Sequence, residues 1–220
     1  LAKEHHADLS GVTVFDPDRL TDVGAIPMGG ASAAHDLAEH RMELASENIE
    51  KSISQFEQAC TDAGITNRVL KETGDSAARL LSAWRYHDIT VIGLRGLFEY
   101  GVLHDHGHLV LDVIGAGLRP LLAVADEYKP IHSAMVAYDG SPLAARAMKA
   151  FCMVGIWKPM PTTVVCFEGQ DGEATELLED AASYLEAHTF STTKKRVEEK
   201  ARNAILETME TCNADLLVMG

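Results

Sequence analysis

The sequence predicts an α/β chain made of two tandem doubly wound parallel-sheet domains, both incomplete at the chain ends. Three observations predict it. Apolar runs of strand length alternate with amphipathic segments of ten or more residues, a spacing that demands parallel pairing through right-handed crossovers. The pattern occurs twice: Leu9–Phe15 fits Thr162–Phe167 with Phe15 on Phe167, an offset of 152, and His87–Gly93 fits Asn213–Gly220 with Gly93 on Gly220, an offset of 127. Finally, Met135-Val-Ala-Tyr-Asp-Gly-Ser-Pro142 passes from an apolar strand straight into a helix start. Ser141 can cap that helix, and Pro142 fits its first position, where a missing N–H costs nothing. This turn sets Asp139 at the carboxyl end of a strand, where open α/β sheets bind ligands.

Along the first copy, Leu9–Phe15 reads as a strand and Asp16–Ser32 as a loop rich in Gly, Pro and Asp. The loop has no counterpart in the second copy, which is about 25 residues shorter between its matched strands. From about Ala31 to Ala63, Leu37, Met42, Leu44, Ile49, Ile53 and Phe56 recur among charges as on a long amphipathic helix. Thr66–Glu72 is a strand, Gly74-Asp-Ser76 caps a helix through about Tyr86, and Ile89–Gly93 is a buried strand. A helix over His108–Gly117 and a strand over Arg119–Val124 complete the copy. The strands 9–15, 66–72, 89–93 and 119–124 should share one sheet.

Ala125–Ile131, charged and containing Pro130, is the expected linker, so the domains are 1–128 and 129–220. The second copy runs strand Met135–Tyr138, helix Ser141–Val154, strand Thr162–Phe167, helix Glu173–His188, strand Ser191–Val197, helix Glu199–Cys212 and strand Asp215–Met219. The first copy's counterpart of Ser133–Asp139 would precede residue 1, and nothing in the second copy matches Leu94–Val124. The expectation is a natural protein longer at both ends, and marginal solubility of this chain from unpaired sheet edges.

A net charge of −14 speaks against an electrostatic grip on nucleic acid or acidic lipid. It leaves room for a nucleotide, because backbone N–H groups at a helix start hold phosphate without basic side chains. With 46 % hydrophobic and 24 % charged residues, the chain can build packed cores. The four cysteines, Cys60, Cys152, Cys166 and Cys212, form no C-x-x-C pair and read as reduced, buried thiols. No membrane span or signal peptide is evident, since Leu109–Ala125 is broken by Asp112, Arg119 and Pro120.

The Asp139-Gly-Ser141 strand end and Ala214-Asp-Leu-Leu-Val-Met-Gly220 together resemble the universal stress protein family, in a tandem-domain form. That resemblance implies an adenine-nucleotide alpha-hydrolase-like fold and binding of ATP or AMP, with no metal beyond nucleotide-bound Mg. In such proteins the acid at the first strand's end lies beside the nucleoside, a residue at the second strand's tip flanks the base, and Gly-x2-Gly-x9-Gly-Ser/Thr holds phosphate. Carried over, the second domain offers Ala137, Tyr138, Asp139, Phe167, Met219 and Gly220. Asp139 also reads as a turn residue, and Phe167 as core packing. The first domain offers a degenerate set, Gly93, Arg95, Gly96 and Gly107. There Gly107 follows after ten residues instead of nine, His108 replaces Ser or Thr, and Glu99 and Asp105 enter the loop. A carboxylate at roughly 4–5 Å from a phosphate costs on the order of 1 kcal/mol in water, and Arg95 offsets this only in part.

His104-Asp-His-Gly-His108 has the side chains of a metal site, but without a nearby cysteine cluster it reads as a solvated helix start. No catalytic grouping appears: Gly-x-Ser-x-Gly, Walker Gly-Lys-Ser/Thr and Gly-x-Gly-x-x-Gly are absent. The resemblance implies a cytosolic sensor or regulator, not an enzyme beyond weak ATPase activity, that binds an adenine nucleotide mainly through its second domain. The alternative is a scaffold working through protein–protein contacts. As partners, the resemblance implies an internal pseudo-dimer of the two domains, or a homodimer, with no nucleic acid and no membrane.

Overall fold

The computed structural model describes residues 1–26, 28–93, 114–115, 119–125, 127–168 and 171–220. The chain divides into two compact units, Leu1–Asp126 and Glu127–Gly220.

Unit 2 is a four-stranded parallel sheet with its helices in the crossovers. Its elements are β5 (Ala134–Ala137), α4 (Pro142–Val154), β6 (Pro161–Phe167), α5 (Asp171–Ala187), β7 (Ser191–Val197), α6 (Ala201–Thr211) and β8 (Leu216–Val218). The spatial order is β7-β6-β5-β8, so the chain starts in the middle and winds outward in both directions. β5 is Ala-Met-Val-Ala, and its first three residues are at most 1 % exposed, as a central strand covered on both faces requires. Val136, Met148, Phe151, Cys152, Val164, Cys166 and Leu185 belong to one hydrophobic cluster. The edge strand β7 carries Lys194 and Lys195. Their ammonium groups reach Glu179 Oε1 at 2.6 Å and Thr211 Oγ1 at 2.8 Å. Charge on an edge discourages pairing with another chain.

Unit 1 contains β1 (Leu9–Phe15), α1 (Pro17–Thr21), α2 (Ala31–Ala63), β2 (Asn67–Thr73), α3 (Ser76–Trp84), β3 (Thr90–Gly93) and β4 (Leu121–Val124). β1 pairs in parallel with β2 from Leu9↔Asn67 to Phe15↔Thr73, and β3 with β4 from Thr90↔Leu121 to Gly93↔Val124. The expected single sheet is corrected here: the strands form two separate two-stranded sheets among the described residues. The physical reason lies in unit 2, where the counterparts of β1 and β3 are both hydrogen-bonded to β5 and never to each other. Unit 1 has no described strand in that place.

α2 follows its apolar stripe as expected. At ~1.5 Å per residue its 33 residues span roughly 50 Å, twice the length of β1. Gly11 in β1 lies under it, where a Cβ would come within 2.9 Å of the Phe56 ring. The stretch expected to be loop, Asp16–Ser32, holds the short helix α1, capped by Asp16, with Pro17 in its first turn. Of the helix expected over His108–Gly117, only residues 114 and 115 are described, and these are helical. Cys60, Cys152 and Cys166 are buried thiols outside any disulfide, whereas Cys212 is half-buried. Among the described residues, no helix is long and apolar enough to cross a membrane.

Candidate functional site

The site forms where β5 ends and α4 begins. Ser141 is the helix N-cap, its hydroxyl accepting from the Ala144 N–H at 3.2 Å, with Pro142 at the start of the helix. Gly140 turns the chain with φ 76°, and a Cβ there would meet Leu177 Cδ2 at 2.8 Å. Both facts favour glycine. Asp139 Oδ1 accepts from the Ser141 N–H at 2.9 Å, closing a local turn. Hydrogen bonds from the Ser141 side chain, and then from its backbone, hold the Asp139 carboxyl below its ordinary value of 3.8. The group is therefore a charged, exposed acceptor at neutral pH and a poor proton donor.

β8 arrives beside this turn. It pairs with β5 in parallel, Ala134↔Leu216 through Val136↔Val218, so its carboxyl end rises on the same side as Asp139. Gly220 closes on the α4 start. A Cβ on Gly220 would overlap the Leu143 carbonyl and lie 2.7 Å from the Ala144 nitrogen. Backbone at a helix start, with its positive dipole end, is thus walled by a second strand tip. On the other side, Ala137 pairs with Val165 in β6, and the Tyr138 N–H donates to Val165 O at 2.9 Å. Continuing this register sets Phe167, the last residue of β6, level with Asp139.

The six residues of the second-domain prediction thus sit at the carboxyl ends of three adjacent strands. Their roles differ. Asp139, Met219 and Gly220 are exposed, with Met219 at 58 %. Ala137 and Phe167 are half-buried, and the Tyr138 ring packs against the hydrophobic cluster. In unit 1, Gly93 ends β3 opposite Val124. Arg95, Gly96, Gly107 and the His104–His108 segment lie outside the described residues. Among the described residues no cluster of His, Cys, Asp or Glu could hold a metal. A groove of about 500 Å³, lined by Leu206, Met209, Glu210, Asn213, Ala214 and Asp215, opens at the amino end of β8, away from this turn.

Sequence reading missed two polar devices. Asp215 Oδ2 accepts from the N–H groups of His132 at 2.9 Å and Ser133 at 3.2 Å, pinning β8 to the start of β5. Its partners are some eighty residues away, so no local pattern announces it. Asp16 is buried and links two helices: Oδ1 accepts from Arg19 N at 3.2 Å, and Oδ2 from Ser76 N and Oγ at 2.9 and 3.0 Å. The Asp-Pro pair at 16–17 could have signalled the first contact, in a stretch expected to be loop. At offset 152 its counterpart in unit 2 is Glu168, which takes a positive φ of 58° and an ion pair with Lys200 at 3.6 Å.

No protein-family model and no curated protein matches the chain. Solved structures do. A universal stress protein from Archaeoglobus fulgidus DSM 4304 aligns over 94% of this chain and 83% of its own, with a TM-score of 0.62 at 17% identity. The chain has the universal stress protein fold. Protein Rv1636 from Mycobacterium tuberculosis H37Rv aligns over 43% of this chain and 74% of its own, with a TM-score of 0.36 at 20% identity, too low to weigh. Within the universal stress protein fold, unit 2 here has its central strand in place, and the Asp139 turn stands at that strand's tip.

Proposed function

We propose that the chain binds an adenine nucleotide, ATP or AMP with its Mg, in the unit 2 crevice and acts as a cytosolic stress-response sensor or regulator. It works as a binder and not as a catalyst. The observation that carries this reading is the approach of Gly220 to the α4 start. It brings two strand tips and a helix N-terminus to one place beside an ionised Asp139, at the carboxyl end of a doubly wound sheet. An anion suits the helix start, and a carboxylate that stays charged suits the hydroxyls of a sugar. The similar fold of a protein described as a universal stress protein supports the stress-response part.

The scaffold reading has one observation in its favour. Asp139 is already engaged by Ser141, which gives its carboxylate a purely local use. Calorimetry with ATP and AMP separates the two. On the nucleotide reading, Asp139→Ala weakens binding by roughly 1.5–3 kcal/mol, the value of hydrogen bonds to a charged group. Arg95→Ala changes it little, and circular dichroism stays that of the parent chain. Undetectable heat with either nucleotide, or equal affinity in parent and Asp139→Ala, leaves the scaffold.

A further inference from the structure

We draw no further inference here: the strongest candidate, the side-chain pair of Lys195 in β7 and the half-buried Cys212 at the end of α6, with Nζ 3.8 Å from Sγ, rests on a single thiol, and nothing else among the described residues points to a ligand or reactant that would meet it.

Discussion

Two regions built from one pattern end up differently packed, and the difference isolates what a central strand does. Unit 2 contributes Ala134, Met135 and Val136 from β5 at 1 % exposure or less, and a broad cluster condenses around them. Unit 1 has strands of similar length and a longer helix, yet among the described residues its buried apolar side chains are Leu20, Ala38, Ile53, Cys60 and Trp84, all from helices. No β1 residue is fully buried. In unit 2 the strand that starts the winding holds β6 and β8 in one sheet, and no described strand does so for β1 and β3.

The sharpest break of this comparison is a pair of equivalent truncations. Val164→Ala should cost unit 2 about 2–3 kcal/mol, two buried carbons plus a cavity. Val12→Ala, its offset counterpart, should cost unit 1 under about 1 kcal/mol, because the side chain is half in solvent already. Hydrogen exchange resolved by unit measures both, and equal losses would erase the contrast.

Next in size is Gly140→Ala. A left-handed φ of 76° costs a non-glycine residue about 1–2 kcal/mol, and Leu177 must also move. Denaturant titration should show a lower midpoint for the unit 2 transition, and unit 1 exchange should not change. Smaller again is the polar pin. Asp215→Ala should cost about 1 kcal/mol through three lost contacts to His132 and Ser133. Asp88→Ala, at its offset counterpart in unit 1, should stay within about 0.5 kcal/mol in the same assay.

The smallest effect is in the pH dependence. Hydrogen bonds from Ser141 lower the Asp139 carboxyl, and the His132 N–H, followed by Ser133, lowers Asp215. A depressed folded value means stability that is present above the ordinary value of 3.8 and is lost as pH falls through the folded midpoint. Carboxyl NMR titration should place both midpoints below 3.8. Both groups are exposed, so the slope of stability with pH in that window should be shallow.

Local signals carried most of this structure. Ser141 and Pro142 announced the α4 start, Asp16 and Pro17 could have announced α1, and the apolar stripe ending at Gly64 announced α2. The repeat offsets carried the order of elements and placed Asp139 and Gly220 at neighbouring strand tips. Three things were not legible. That β1 and β3 stand in separate sheets depends on a strand neither of them encodes. That Tyr138 turns to the core, while Met219 faces solvent, depends on the pleat at a strand's last residue, where alternation gives way to the turn. The Asp215 pin joins segments whose pairing only the folded sheet creates.

The most direct test of unit 2 as the nucleotide-binding half is hydrogen exchange on the full chain with and without saturating Mg–ATP. The account predicts slowed exchange at residues 138–145 and 217–220, around the Asp139 turn and the β8 tip, with β1 and β2 unchanged. Protection confined to unit 1, or none anywhere, would contradict it.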